Sequence, residues 1–191
     1  MEFRLIYRGP LPAQGAGTGG SRVQEKHAIR RQLHVQMREV WHGHPHLNPY
    51  VHEDSPNFTH LGSKFEYSGY LFLPLVSRER GIGCSLDILF LRRDGPGNLI
   101  ASGGDIDNRM KVLFDALSIP NQEQVKNVLP QQGERPFFCV LEDDALITDV
   151  RITTDRLLLP LESDEHVHDV HLILHVKTKI VDDRIASRFW A

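Results

Sequence analysis

A chain of 191 residues, 40% of them hydrophobic, is long enough to bury one well-packed core, and we expect a single domain over residues 1–191. No run approaches the roughly 18 consecutive apolar residues of a membrane helix, and the N-terminus lacks the features of a secretory signal. We therefore expect a cytoplasmic protein without membrane contact. The formal net charge of −3 disfavours a strongly basic nucleic-acid-binding protein, unless the basic residues are clustered on one surface.

The first two predicted elements are a strand and a long helix. Strict alternation from Glu2 to Tyr7 predicts a half-buried strand, and good helix formers from Ser21 to about Trp41 predict the helix. One face of this helix is moderately apolar: Val23, His27, Arg30, Leu33 and Met37. The helix also carries a basic cluster, which is either a solvated face or a DNA contact. For DNA contact we single out Arg30 and Arg31, and later in the chain Arg92 and Arg93.

The middle of the chain combines a histidine-rich loop with two apolar strands. Three prolines and five histidines between residues 42 and 62 predict a surface loop, and their spacing matches no closed zinc site. Apolar runs at 65–76 and 84–91 predict a central hairpin. Asp87 lies inside the second run, so we expect it to be buried with a structural partner or to contribute to a cleft. Cys84 and Cys139 are expected to be buried thiols.

The most informative segment is a predicted helix that follows two glycines and ends near Leu117. Asp105 is a favourable N-cap, and Asp107 falls in the first turn, where the helix dipole favours negative charge. The apolar residues recur with helical spacing and predict a face packed on a core: Ile106, Met110, Leu113, Phe114 and Leu117. A second line of residues runs along one edge of that face and points into one cleft: Asp107, Lys111 and Asp115.

Two carboxylates and an ammonium group at one helix start suit a metal site directed at phosphate. Because an N-cap has non-helical dihedrals, the carboxylate of Asp105 is able to turn toward Asp107 and share one cation with it. Mg²⁺ is usually held by one or two carboxylates, waters and substrate oxygens. Lys111 would keep both carboxylates ionised or steady a phosphate. The alternative is a helix cap with an ordinary ion pair between Asp107 and Lys111.

The remaining predicted elements complete an α+β fold. Strands at 145–153 and 167–179 follow the helix, so the order is β, α, β, β, α, β, β. This order predicts a mixed β-sheet of about five strands with two main helices on one face. Loop insertions are expected near 42–62 and 118–140. A second carboxylate pair, Asp143 and Asp144, would precede an inner strand and approach the start of the second helix.

Two stretches together resemble a known family. The first contains Asp105-Ile106-Asp107-Asn108, then Lys111 and Phe114-Asp115-Ala116-Leu117, and the second is Leu141-Glu142-Asp143-Asp144-Ala145. This pattern is similar to that of the RusA-type Holliday junction resolvases, which are homodimeric, Mg²⁺-dependent endonucleases that cut four-way DNA junctions. The chain departs from the family where an arginine run often precedes the first aspartate, and its link between the two motifs is longer.

The resemblance implies a metal centre and a role for each matching residue. Asp105, Asp107 and Asp144 would be the catalytic metal ligands, with Asp143 beside them, and Lys111 would be the essential cation. Asn108 and Asp115 would support the site. The expected cofactor is Mg²⁺, for which Mn²⁺ would substitute, and the expected partners are branched DNA and a second copy of the chain.

Two other classes of function stay open on the sequence. One is a DNA-binding or structural homologue that cleaves weakly, which the missing arginine run and the acidic net charge favour. The other is a metal phosphohydrolase that acts on small nucleotides. Such an enzyme needs no DNA-binding surface, so this class also explains the acidic net charge.

Overall fold

The structure, a computed structural model, describes residues 1–12, 19–51, 65–93, 106–159 and 169–183, without the side chains of 19–22. Seven strands and three helices follow one another along these residues, joined in places by 3₁₀ turns. They are β1 (Glu2–Pro10), α1 (Gly19–Gly43), β2 (Glu66–Tyr67), β3 (Tyr70–Val76), β4 (Ile82–Arg92), α2 (Ile106–Leu117), α3 (Gln122–Val125), β5 (Phe137–Leu141), β6 (Ile147–Arg156) and β7 (Asp169–Ile180). The α+β class is thereby confirmed.

The strands form two sheets. The larger sheet has the order β1-β7-β4-β6, in which β7 is antiparallel to both β1 and β4, and β6 is parallel to β4. The smaller sheet has the order β2-β3-β5, with β3 parallel to β5. The expected single sheet of about five strands is therefore wrong, and so is the central hairpin, because β3 and β4 belong to different sheets. A 3₁₀ turn at Arg78–Arg80 and the left-handed Gly81 redirect the chain between them.

The smaller sheet is covered on both faces. Every residue of β3 and of β5 is buried. Leu71, Leu73 and Phe138 face the main core, whereas Phe72 and Phe137 face a second cluster with Val125 of α3. The sequence of a parallel strand that is buried on both faces is a continuous run of apolar residues, without the alternation of apolar and polar residues seen in half-buried strands. Residues 118–140 are thus more than a loop insertion, since they contain α3 and the start of β5.

The larger sheet has one covered and one open face. Leu86 and Ile88 of β4 point into the core, together with Leu172 and Leu174 of β7. Asp87 points to the open face and is exposed, opposite His175 on β7 and Arg151 on β6. The expectation that Asp87 is buried is wrong, because successive side chains of a strand point to opposite faces, and Asp87 lies on the open face while Leu86 and Ile88 point inward.

Helix α1 packs into the core with the predicted face. His27, Arg30, Leu33 and Met37 are buried, and Trp41 extends the same face. Both cysteines are buried free thiols, as expected, and burial raises the pKa of each to about 12. No helix among the described residues combines the length and the apolar character needed to cross a membrane.

Two buried histidines of α1 are held neutral. The backbone N–H of Phe138 donates to Nδ1 of His34 at 2.9 Å, and His34 Nε2 lies 3.1 Å from the carbonyl oxygen of Gly133. His34 therefore carries its proton on Nε2. Burial lowers the pKa of His34, and burial together with Arg31 and Arg30 lowers the pKa of His27 to about 4.

We expect the fold to lose stability as the pH falls from about 6.5 to 4. In this window the unfolded chain protonates His27 but the folded chain does not, so acid favours unfolding by up to about 3 kcal/mol at pH 4. Urea denaturation at a series of pH values measures this slope. His27→Phe should reduce the slope and leave the part that His34 contributes, whereas His46→Gln, at an exposed histidine, should leave it unchanged. An identical slope in His27→Phe would contradict the assignment.

Candidate functional site

Helix α2 has the packing face and the polar edge that its sequence predicts. Met110, Leu113 and Leu117 are buried, and Ile106 and Phe114 pack partly buried against the same core. This face fixes the rotation of the helix, so that the polar residues at its N-terminal end face solvent. Asp105 precedes the helix and lies outside the described residues.

Asp107 and Lys111 form an exposed pair on the first turns of α2. Their side chains are 57% and 56% exposed, and Lys111 Nζ lies 3.6 Å from Asp107 Oδ2. The backbone N–H of Asn108 donates to Asp107 Oδ1 at 2.7 Å. An exposed pair of this kind contributes only a few tenths of a kcal/mol to stability. Both groups are therefore available to a ligand at little cost to the fold.

Asp115, further along the same edge, serves a different purpose. Its Oδ2 lies 2.5 Å from Nζ of Lys26, so it joins α2 to α1. Asp115 is thus engaged between two helices, whereas Asp107 and Lys111 pair only with each other across more than half-exposed side chains. In the described structure Asp115 therefore links α2 to α1, and its role as a support of the site stays a prediction.

The second carboxylate pair lies in a 3₁₀ turn, Asp144–Leu146, between β5 and β6. Asp143 caps this turn, since its Oδ1 accepts a hydrogen bond from the backbone N–H of Ala145 at 2.8 Å. That bond and the guanidinium of Arg78, 3.3 Å from Asp143 Oδ2, hold the pKa of Asp143 below its usual range. Asp144 is exposed and faces solvent. The pair precedes an edge strand, β6, rather than the inner strand we expected.

The turn that carries the second carboxylate pair contacts helix α2, which carries the first motif. Cα atoms of α2 and of the Asp144–Leu146 turn come within 8 Å of one another, although the motifs are separated by a helix and a strand in the sequence. A parallel bridge between Ser118 and Leu141 holds the end of α2 beside the end of β5, two residues before Asp143. The packing thus brings α2 and the second carboxylate pair together.

Arg78 is the member of the site that sequence reasoning missed. Val76 and Leu141 are paired in the parallel register of β3 and β5, which places Arg78 beside the residues that follow β5. Its backbone N–H donates to Glu142 at 3.0 Å, and its guanidinium reaches Asp143. Strand β5 was not predicted from the sequence. Its parallel pairing with β3 brings the ends of the two strands together.

The oxygen donors in this region suit a hard divalent cation. Carboxylates with solvent access leave room for the waters and substrate oxygens that Mg²⁺ retains. Within the described ranges, no group of three or more His, Cys, Asp or Glu side chains is placed to hold a metal ion. A third carboxylate would have to come from Asp105, outside those ranges. Among the described carboxylates, Asp107 on α2 and Asp144 on the adjoining turn are exposed, whereas Asp143 is engaged by Arg78.

Arg30 is a structural residue. It is only 3% exposed, and its guanidinium donates to the carbonyl oxygens of Asp115 at 2.6 Å and of Ser118 at 3.1 Å. The carbonyl of Asp115 belongs to the last turn of α2 and that of Ser118 follows the helix directly, so neither has a partner within the helix. The expectation that Arg30 contacts DNA is corrected, because its charge is buried and committed to closing this helix end.

The other predicted DNA-contacting arginines differ in their surroundings. Arg31 makes two bonds to Glu134, with Nε at 2.6 Å and Nη2 at 3.1 Å from its carboxylate oxygens. Arg93 donates to the carbonyl oxygen of Leu159 at 2.7 Å. Arg92 and Arg93 lie partly exposed at the end of β4. Arg31 is therefore engaged by Glu134 within the fold. Arg92 and Arg93, at the end of β4, are partly exposed to solvent and to an approaching anion.

Comparison with protein-family models and with curated proteins found no match to this chain.

Proposed function

We propose that this protein is a Mg²⁺-dependent endodeoxyribonuclease that cuts four-way or otherwise branched DNA as a cytoplasmic homodimer. The observation that carries the proposal is the approach of the Asp143-Asp144 turn to α2, the helix that begins with Asp107 and Lys111. The turn with the second motif thereby packs against the helix that carries the first. The described residues offer no serine or cysteine nucleophile at this place, so hydrolysis by an activated water is the simplest chemistry.

In this mechanism Asp107 and Asp144 would hold the metal together with Asp105, and Asn108 would support the first turn. The bound Mg²⁺ would polarise the scissile phosphate and lower the pKa of the attacking water. Lys111 would offset the negative charge that develops on the phosphate, because its ammonium lies on the same exposed edge as Asp107. The backbone N–H of Ala145 and the guanidinium of Arg78 both favour the ionised form of Asp143, and these contacts hold the turn in its shape.

The test is cleavage of a synthetic four-way junction in the presence of Mg²⁺ or Mn²⁺, beside a linear duplex of the same sequence and a set of nucleoside triphosphates. The proposal predicts metal-dependent, paired cuts in the junction and none in the duplex. Hydrolysis of the nucleotides alone would replace the proposal with a phosphohydrolase. Binding of the junction without cuts would replace it with a DNA-binding homologue.

The phosphohydrolase remains the second candidate because of one observation. Arg30 is buried and Arg31 is paired with Glu134, so two of the arginines expected to bind DNA are committed within the fold. Together with the net charge of −3, this leaves less positive surface for a long polyanion than the sequence suggested. A small nucleotide places no such demand on the surface.

Replacement of Lys111 by alanine should slow cleavage about a hundred- to a thousandfold without unfolding the protein. The side chain is more than half exposed and its ion pair with Asp107 is weak, so the melting temperature should change by only about 1–2 °C. Single-turnover cleavage of the junction measures the rate. Lys126→Ala, which also removes an exposed lysine with an acidic neighbour on its own helix turn, should cleave at the wild-type rate. A Lys111→Ala protein that does not fold would show instead that the lysine is structural.

A further inference from the structure

The larger sheet ends in a strand that is exposed on both faces. Along β6, eight of the ten residues are exposed and the other two only partly buried. Val150 and Ile152 lie on the side of the core yet keep 39% and 37% of their surface exposed. An edge strand of this length presents a row of free backbone N–H and C=O groups, which is a template for pairing with another strand.

The opposite edge of the same sheet is protected. On β1, the side chain of Gln36 accepts a hydrogen bond from the backbone N–H of Ile6 at 2.8 Å and donates to the Ile6 carbonyl oxygen at 2.7 Å. The amide thus pairs with the edge at Ile6 as a residue of a neighbouring strand would. Strand β6, in contrast, is the last strand of the sheet and pairs with β4 on one side. Of the two edges of this sheet, β6 is therefore the better surface for pairing with a partner strand.

The sequence of β6 is complementary to itself in one register. In an antiparallel pair, residues directly opposite each other share a face, so a two-fold pairing of β6 centres on a residue. Centred on Val150, it places the two Val150 side chains together and Asp149 opposite Arg151 of the second copy, twice. Ile152 then lies opposite Thr148.

Other registers are less favourable. Centring on Asp149 or Arg151 sets like charges directly against each other, and centring on Ile152 sets Asp149 against Asp155. Centring on Thr153 restores an Asp155–Arg151 pair but places Val150 opposite Arg156. The register centred on Val150 alone combines apolar contact on one face with opposite charges on the other.

We propose that β6 pairs with β6 of a second copy in antiparallel fashion about Val150, which joins the two larger sheets into one eight-stranded sheet. This deepens the homodimer of the proposed function and rests on that proposal for its purpose. The two-fold axis is perpendicular to the sheet, so both Asp143-Asp144 turns lie at the ends of the paired ribbon and on the same side. At about 3.4 Å per residue, the two Ile147 residues that follow these turns lie roughly 20 Å apart.

Thiol cross-linking tests both the partner and the register, and needs neither DNA nor metal. In Val150→Cys the two new thiols face each other, with Cβ atoms about 5 Å apart, so oxidation should yield a covalent dimer. In Ile152→Cys, at a residue of equal exposure on the same face, the thiols are separated by about 14 Å and should stay unlinked. Cys84 and Cys139 are buried and serve as an internal control in the wild type.

Equal cross-linking of the two variants, cross-linking of neither, or a wild-type protein that sediments as a monomer at tens of micromolar would each overturn the proposal. Charge reversal gives an independent readout. Asp149→Arg and Arg151→Asp should each shift the sedimenting species to monomer, and the double variant should restore the dimer. Because these experiments measure association alone, a dimer that cuts no DNA would refute the proposed function and leave this inference standing.

Discussion

Replacement of Asp107 by asparagine should abolish metal-dependent cleavage of a four-way junction while junction binding is kept or tightened. Asparagine has the same shape but lacks the charge that holds a divalent cation. Loss of a direct ligand should cost more than the roughly hundredfold that supporting residues of metal sites contribute. Asp107 is exposed and its one ion pair is weak, so the fold should be unaffected.

The matched control is Asp87→Asn. Asp87 is also exposed, but it lies on the open face of the larger sheet, away from the face that packs against the helices. Cleavage and gel-shift assays of the two variants, side by side, separate a loss of chemistry from a loss of binding. Wild-type cleavage by Asp107→Asn would refute the metal assignment, and equal loss in both variants would indicate a general effect of charge on DNA binding.

Replacement of Arg80 by methionine should lower the free energy of unfolding by about 3 kcal/mol. Arg80 is fully buried, donates through Nη1 to the carbonyl oxygens of Pro74 and Leu75, and lies over the ring of Trp41 at 5.0 Å. Burial lowers its pKa to about 10, so the guanidinium is still charged at neutral pH. Methionine fills much of the space but leaves both carbonyls without a donor.

Urea denaturation measures the effect of Arg80→Met, and Arg4→Met, at an exposed position of β1, provides the comparison. The Arg4 variant should unfold within about 0.5 kcal/mol of the wild type. A similar result for Arg80→Met would show that the buried guanidinium does not stabilise the turn between β3 and β4. Since this turn also positions Arg78, the Arg80 variant should in addition cleave more slowly near its melting temperature.

Elements with strong periodicity were predictable from the sequence. The alternation in β1 and the apolar stripes of α1 and α2 each report a single buried face, and the structure has those faces where they were expected. Strand β5 was missed because five consecutive buried residues show no alternation and follow a segment rich in proline. Without β5 the division into two sheets could not be foreseen.

The candidate site was predictable where a sequence motif marks its residues. It was not predictable where tertiary packing determines which residues are close together. The helix start with Asp107 and Lys111 follows from capping and spacing alone. Arg30 shows the opposite case. Its helical spacing placed it on the packed face with Leu33 and Met37, while its charge suggested a surface contact, and the spacing was the correct guide. Arg78 could not be assigned, because its partner Asp143 lies beyond the unpredicted strand.

The most direct test of the central claim is the binding of Mn²⁺ to the free protein, measured by calorimetry or by the loss of the free-ion electron paramagnetic resonance signal. The account predicts saturable binding by the wild type and by Asp87→Asn, displacement by excess Mg²⁺, and loss of that binding in Asp107→Asn. Equal binding by all three proteins, or binding by none of them, would contradict a metal centre at the start of α2.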